Sequence, residues 1–136
     1  MTAEKETIFE VNKLILEQTN DLWLIAMGLI AFEVLLIAHV IYSLRIDFRE
    51  SIVSWFLFLS VLFHALSLMF GYFAKGALIK IMISYSTSGT WTFDRITEWM
   101  NLLQIVSVTI GLIIFVVAFY FYSRTLARAI VTGVKK

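Results

Sequence analysis

Three ionisable side chains lie within long apolar stretches of this sequence: Glu33, His39 and His64. Glutamate and histidine can hold or pass protons, and histidine can also bind copper, zinc or haem iron. Ionisable side chains inside a membrane are costly, and they are candidates for a functional site by default. What these three can do together depends on the helices that carry them.

Two apolar stretches, at 22–44 and 52–75, contain these residues. About 20 apolar residues suffice for a helix to cross the hydrocarbon core of a bilayer, so each stretch predicts a transmembrane helix. The charged segment at 45–50 separates the two stretches and predicts a turn on the water side. Together they predict a transmembrane hairpin.

A third helix is predicted over 94–123, with a membrane span inside it that starts at Met100. Residues 76–84 are too few for another span, so they either prolong the second helix to 84 or lie along the membrane surface. The segment at 85–92 is rich in Ser, Thr and Gly, which predicts a loop before the third helix.

Residues 3–20 predict an amphipathic helix at the membrane surface. Ile8, Val11 and Ile15 recur at helical spacing, whereas the polar face is net acidic. Surface helices that bind anionic lipid are usually basic. This helix is therefore better suited to a partner protein or to the outer leaflet, and residues 20–21 are expected to cap the span that follows.

These elements predict an all-α integral membrane protein, with three transmembrane helices preceded by the surface helix, in a single membrane domain over 1–136. The composition agrees, because 60% of the residues are hydrophobic, 15% are charged and the mean hydropathy is +0.88. The net charge of +1 provides no basic surface for nucleic acid. The sequence has no cysteine, which excludes disulfides, thiolate metal sites and cysteine nucleophiles.

Depth in the bilayer separates the three ionisable residues. Counted from the centre of the predicted turn at ~1.5 Å per residue, Glu33 and His64 differ in depth by only ~3 Å. By the same rise, His39 lies ~12 Å from the level of His64. The sequence therefore predicts an intramembrane polar contact between Glu33 and His64. Its role is either a hydrogen bond that holds the packing, contact with a polar group of another subunit, or transport and proton relay.

Metal or haem binding within one chain is disfavoured by the same depths. Two axial histidines of a haem, or two ligands of one copper or zinc ion, must lie at one level, and His39 and His64 do not. The third span offers no His, Asp or Glu between Asn101 and Tyr122. Haem or copper is therefore possible only with ligands from another chain, and no metal site is predicted. His39 and Gln104 are candidates for contact with a cofactor or a partner.

Small and polar residues form a stripe on the second and third spans. Such stripes in lipid are positions where another helix packs closely. Glu33 and His39 lie ~120° apart around the first span at ~100° per residue, so two of its faces are polar. A span enclosed by several helices is expected to have this pattern. The helix-packing candidates are Ser60, Ser67, Gly71, Ser107 and Gly111.

Catalytic and nucleotide-binding motifs are absent from the sequence: there is no Walker or Rossmann glycine pattern, no G-x-S-x-G and no HExxH. The layout of three helices with His64 in the second resembles the cytochrome b anchor subunits of succinate dehydrogenases. The Arg, Ser and Asp residues of a quinone site in that family are not visible around His64. In size, the chain also resembles three-span phage holins.

Three functions follow from these observations. The preferred one is a small, non-catalytic transmembrane accessory subunit of a larger membrane complex, with other integral membrane subunits as partners. The second is an anchor or accessory subunit of a respiratory or copper/haem oxidase-type complex, with His39, His64 or Glu33 near a cofactor, a quinone or a proton route. The third is a self-assembling pore of the holin kind.

The orientation of the chain follows weakly from its positive residues, which favour the cytoplasmic side. Three spans place the turn at 45–50 and the C-terminus on one side, with six Lys or Arg residues against five on the other. This distribution predicts an N-terminus outside and a C-terminus in the cytoplasm.

Overall fold

The computed structural model describes residues 3–43, 51–89 and 95–133. Over these residues, the chain is helical: α1 spans Ala3–Tyr42, α2 spans Ile52–Ser88 and α3 spans Arg95–Gly133. Each of the three is long and apolar enough to cross a membrane. The prediction of a multi-pass, all-α integral membrane protein is confirmed. Contacts pair α2 with both of its neighbours in antiparallel fashion, for example Trp23 with Leu68 and Phe56 with Phe121.

The prediction of a separate surface helix at 3–20 is not supported, because those residues and the first span form one continuous helix. No proline lies in α1, and its first glycine is Gly28. The Thr19 hydroxyl donates to the carbonyl of Ile15 at 2.8 Å, inside the helix. Residues 20–21 are exposed and helical rather than caps. The continuous apolar sequence of α1 therefore forms one helix, in spite of the capping residues at 20–21.

The second helix extends to Ser88, beyond both of the ends predicted for it at 75 and 84. Leu78 and Ile81 are buried, so packing continues past the membrane boundary. The helix ends at Gly89, whose left-handed φ of 68° is typical of a C-cap glycine and whose N–H bonds to the Tyr85 carbonyl at 2.9 Å. The predicted loop at 85–92 was therefore placed too early.

Hydroxyl groups explain why the Ser/Thr cluster is helical rather than a loop. Ser86 and Thr87 donate to the carbonyl of Ile83, and Ser88 donates to the carbonyl of Ser84. Such bonds one turn back are compatible with a helix. At the other end of α2, the Ser51 side chain accepts the Ser54 N–H at 3.2 Å and caps the helix.

The third helix spans Arg95–Gly133 and so continues ten residues past the predicted end at 123. Ser123 and Thr125 donate to carbonyls one turn back, and no proline interrupts the segment. The predicted turn at 45–50, the end of the predicted loop at 90–92 and the predicted start at Asp94 lie outside the described residues.

Buried positions in all three helices repeat every seven residues. In α2 they alternate at spacings of four and three, from Val53 to Ile81. A seven-residue repeat is typical of helices that pack at small crossing angles with interlocking side chains. The buried positions spaced by seven are Asn12, Thr19, Ala26, Glu33 and Val40 in α1 and Thr97, Gln104, Gly111 and Ala118 in α3.

These repeats divide the interior into a mainly apolar end and a more polar remainder. Near Ser51, the core is mainly aliphatic, with the buried Ser54 as a polar member and a stacked Phe56–Phe121 pair at 6.0 Å between ring centroids. This apolar core contains Leu36, Val40, Val53, Leu57 and Ala118. Beyond it, each further turn of the bundle contains buried polar side chains.

Candidate functional site

The candidate site is the first polar turn of the bundle, and we refer to its four residues Glu33, Ser60, His64 and Gly111 as the central layer. Glu33 comes from α1, Ser60 and His64 from consecutive turns of α2, and Gly111 from α3. The side chains of Glu33, Ser60 and His64 are each 0% exposed. The layer is therefore enclosed by the chain itself.

Glu33 contacts both polar side chains of α2. Its Oε1 lies 2.6 Å from Ser60 Oγ, and its two carboxyl oxygens lie 3.2 and 3.3 Å from His64 Nδ1. From the sequence, Glu33 is expected to pair with His64, and Ser60 is a candidate for helix packing. The structure brings all three together, and Ser60 makes the shortest contact of the set.

Ser60 connects the carboxyl group to the backbone of the third helix. Its Oγ lies 2.8 Å from the Gly111 carbonyl oxygen as well as 2.6 Å from Glu33 Oε1. A hydroxyl has a single proton to donate, and a backbone carbonyl can only accept. Both contacts are full hydrogen bonds when Ser60 donates to Gly111 and accepts a proton held by Glu33 Oε1.

His64 completes a set of contacts in which every group is neutral. In that set, the Nδ1–H of a neutral imidazole donates to the second carboxyl oxygen of Glu33. The other ring nitrogen, Nε2, has no hydrogen-bond partner among the described residues. An unpaired nitrogen lone pair costs less in a low-dielectric interior than an unpaired N–H of an imidazolium ion. Neutral Glu33 and neutral His64 therefore satisfy the layer better than an ion pair.

Gly111 provides the space that the imidazole ring occupies. A Cβ atom at this position would lie 2.8 Å from His64 Nε2 and 3.0 Å from the ring carbons beside it. Such distances are shorter than van der Waals contact, so a larger residue would displace the ring. The close approach of α2 and α3 at this point therefore depends on glycine, as is common for helices packed in lipid.

The central layer lies at the middle of the apolar part of the bundle. At ~1.5 Å per residue, the nearest charged residues on the described helices are roughly 16–20 Å away along each helix. These residues are Asp21, Lys75 and Glu98 on one side and Arg124 on the other. A hydrocarbon core of ~30 Å extends ~15 Å to each side of its centre. The layer is therefore at mid-membrane depth.

A second group of polar contacts lies between the central layer and Lys75. Gln104 is fully buried, and its Nε2 donates to the Thr19 carbonyl at 3.4 Å. Trp23 donates its indole N–H to the Leu68 carbonyl at 3.0 Å. Gln104, a predicted candidate for contact with a cofactor or a partner, directs its side chain into this chain's own interior.

Gly71 and Lys75 fit around these two side chains. A Cβ at Gly71 would lie 2.6 Å from Gln104 Nε2 and 2.8 Å from Trp23 Nε1. The Lys75 ammonium lies 4.2 Å from the centroid of the Trp23 ring, a cation–π contact. These contacts join α1 to α2 at the membrane boundary.

The remaining predicted residues have separate environments. The His39 ring is partly exposed and contacts the Tyr122 ring edge-on, with 6.0 Å between centroids. Ser67 and Ser107 are buried, and Ser67 Oγ lacks a hydrogen-bond partner within the described residues. The polar face around His39 therefore packs against α3 of the same chain, so it does not by itself require another subunit.

The two histidines do not fit a shared haem or metal ion. His39 faces Tyr122, whereas His64 contacts Glu33 and Gly111. Across the described ranges, no three His, Asp or Glu side chains come close enough to bind one ion. The arrangement at the central layer can hold a proton on a carboxyl group, and it links the three helices through that group.

Sequence reasoning missed Trp23, Thr19 and the direct role of Ser60 in the carboxyl contact. The signal that identifies Thr19 is the seven-residue repeat, because it lies two repeats before Glu33 in the same buried series. Trp23 and Ser60 carried no such unique signal, since interfacial tryptophans and packing serines are common in membrane helices.

No protein-family model matches the sequence, and no curated protein or solved structure matches the chain.

Proposed function

We propose that this chain is a non-catalytic transmembrane subunit of a larger membrane complex. The observation that supports this proposal is a set of large apolar side chains that are exposed on a part of the bundle beyond the bilayer. Those residues lie in what we call the projecting end, which comprises residues 3–18 of α1 and 78–88 of α2.

The lengths of the helices define the projecting end. At ~1.5 Å per residue, α1 extends about 45 Å from Glu33 to Ala3, and α2 extends about 36 Å from His64 to Ser88. A bilayer with its headgroups is about 40–45 Å thick, so it reaches only about 20–22 Å from its centre. A typical helix tilt of about 20° shortens the projected lengths by only a few per cent. Both helices therefore continue well outside the membrane.

Apolar side chains on the projecting end have no lipid around them. Phe9 is 44% exposed, Leu14 is 63% exposed and Ile83 is 58% exposed. By helical rise, these residues lie about 28–36 Å from the central layer. Apolar surface of this kind outside a membrane is typical of a protein–protein contact. Another subunit that covers this apolar surface would remove it from water.

The enclosed central layer supports a role without catalysis. Because Glu33, Ser60 and His64 are 0% exposed, a substrate cannot reach them without separation of the helices. A pore is less well supported, since the polar side chains of the central layer face the bundle's own interior rather than a shared channel. A subunit of a redox complex is a special case of the proposal, in which the partly exposed His39, rather than His64, meets the partner.

Purification in mild detergent tests the proposal. The wild-type chain is expected to co-purify with one or more membrane proteins in fixed stoichiometry, as a particle larger than its own 15.7 kDa. Glutamates at Leu14 and Ile83 (L14E/I83E) are expected to release those partners, because the change places charges on the apolar surface. The matched control is Q18E/S86E, with the same added charge at exposed polar positions of the same helices.

Two outcomes would contradict the proposal. One is a stable monomer with no stoichiometric partner in the wild-type preparation. The other is a partner that stays bound to L14E/I83E as well as to the control, which would mean that the projecting end is not the contact surface.

The proposed orientation has the N-terminus, and therefore the projecting end, outside the cytoplasm. It is supported by Arg124 and Arg128, which lie on the side of the C-terminus and close to the third span. In this orientation, the partner that covers the projecting end has an extracytoplasmic surface.

A further inference from the structure

A cavity of about 230 Å³ lies between the three helices at the base of the projecting end. Leu78 and Thr97 line it, and each is fourteen residues from the central layer along its own helix, or ~21 Å at 1.5 Å per residue. By the same rise, Ile105 lies ~9 Å and Asn12 ~32 Å from the central layer, so the cavity spans the boundary between the hydrocarbon and the headgroups.

Three polar side chains line the cavity with an unsatisfied atom each. Asn12 Nδ2, Thr97 Oγ1 and Asn101 Oδ1 are buried and have no hydrogen-bond partner within the described parts of the chain. Asn12 is 1% exposed and Thr97 is 5% exposed. Buried polar atoms in native proteins are nearly always paired, with protein, water or a ligand. Their convergence on one space indicates that something else pairs them.

The rest of the wall is aliphatic. Ile15, Ile81 and Ile105 face the cavity, so most of the contacts available to an occupant are apolar. A mainly apolar pocket with a few convergent polar groups is the usual form of a small-molecule site. The three polar groups offer N–H and O–H donors and two oxygen acceptors, and none of them is charged. The carboxyl group of Glu98 also lies on the wall and disfavours the binding of anions.

Water alone is a poor match for this space. Each ordered water needs two to four polar partners. Asn12, Thr97 and Asn101 supply three unpaired groups, whereas most of the wall is aliphatic. An apolar cavity of ~150 Å³ in another protein binds benzene, so this larger one has room for a short hydrocarbon chain.

We propose that the cavity binds an uncharged amphiphile, namely a short hydrocarbon chain with a hydroxyl or amide group. The polar group bonds to Asn12 and Thr97, and the chain packs against Ile15, Ile81 and Ile105. Molecules of this class concentrate where hydrocarbon meets headgroups, which is the level of the cavity. A free lipophilic alcohol and the hydroxyl-bearing part of a membrane lipid share this chemistry.

Photolabelling with a diazirine-bearing octanol tests the proposal in the full-length chain reconstituted in lipid nanodiscs. Peptide mapping by mass spectrometry is expected to find label on the residues that line the cavity. Hexanol is expected to compete for this labelling, whereas hexane is not, because it lacks the hydroxyl group. If a diacylglycerol added to the nanodiscs also competes, the lipid is a source of the ligand; if hexanol alone competes, the ligand is a free alcohol.

The variant N12L/T97V removes two polar groups and keeps similar side-chain sizes. Labelling in the cavity is expected to fall about tenfold, which corresponds to ~1.4 kcal/mol of lost hydrogen bonding. The matched control is T109V, because Thr109 is exposed on α3 and donates only to the Ile105 carbonyl. If the double variant does not fold, T97V is compared with T109V instead.

Three results would overturn the proposal. They are label spread evenly over the lipid-facing residues, cavity labelling that hexane displaces as well as hexanol does, and labelling that is equal in T97V and T109V. The experiment uses the isolated chain, so its outcome is independent of whether the chain is a subunit of a larger complex.

Discussion

At the residue scale, the central layer shows how a carboxyl group is accommodated at mid-membrane depth. Glu33 contacts Ser60 and His64, and Ser60 in turn contacts the Gly111 carbonyl. Since one hydroxyl proton cannot serve two acceptors, a proton on Glu33 makes the hydrogen bonds complete. In that arrangement every hydrogen bond of the layer is between neutral groups, and no buried charge has to be compensated.

Infrared spectroscopy of the reconstituted chain at neutral pH is expected to show the carbonyl band of a protonated carboxylic acid. The band should vanish in E33Q and persist in E98Q, because Glu98 is exposed and lies outside the central layer. A spectrum without the band at neutral pH would mean that Glu33 and His64 form an ion pair instead.

The stability of two Glu33 variants is expected to differ. In E33Q, the amide N–H₂ can donate to Ser60 and the amide oxygen can accept from His64, so the unfolding free energy should change by less than about 1 kcal/mol. In E33A, the His64 Nδ1–H is left unpaired, which should cost about 1–3 kcal/mol, whereas Ser60 keeps its bond to the Gly111 carbonyl. Denaturant unfolding in detergent measures both, and an E33A protein as stable as E33Q would contradict the assigned bonds.

At the element scale, each helix depends on close approach at a few small residues. Gly111 and Gly71 face side chains of neighbouring helices at distances that leave no room for a Cβ. Gly28 and Gly76 have nothing within 4 Å of the position where a Cβ would be. Helical glycines in this chain therefore divide into those that the packing requires and those that it does not.

The pair G111A and G28A tests that division. G111A is expected to lose about 1–3 kcal/mol of unfolding free energy, because the new methyl group displaces the His64 ring. G28A is expected to be neutral or to gain up to about 1 kcal/mol, because alanine restricts the unfolded chain more than glycine does. Equal effects of the two substitutions would show that His64 does not pack on Gly111.

The elements also show what was predictable from the sequence. The three spans and the near-equal depth of Glu33 and His64 follow from apolar length and helical rise alone. The ends of the helices could not be predicted from the sequence. The capping signal at 20–21 and the Ser/Thr cluster at 85–88 are both compatible with a helix interior, because hydroxyl groups can bond to carbonyls one turn back. Side-chain partners such as Trp23 with Leu68 depend on how the helices are paired, which local sequence does not determine.

At the scale of the whole molecule, the bundle is asymmetric along the membrane normal. Its core is mainly aliphatic near Ser51, and polar side chains recur in it from the central layer to the projecting end. The cavity lies where the polar interior leaves the bilayer, and the exposed apolar surface lies beyond it. The membrane spans, the proposed ligand site and the proposed partner surface thus lie at successive levels of one structure.

The orientation of this asymmetric molecule can be measured with single cysteines, since the natural sequence has none. S86C is on the projecting end and A127C is near the other end of α3, and both positions are exposed. A membrane-impermeant maleimide is expected to label S86C in intact cells and A127C only after lysis. Labelling of A127C alone in intact cells would reverse the proposed orientation.

The seven-residue repeat also restricts how the helices can slide. Uniform repeats permit neighbouring helices to slip by one heptad, and a single polar residue at a core position can forbid the slipped alignment. A shift of α1 by seven residues would move Glu33 to the level of Val40, among Leu57 and Ala118, away from the Ser60 hydroxyl and the His64 ring that it contacts. The carboxyl group therefore selects one register for the whole bundle during assembly, a role that requires neither substrate nor cofactor.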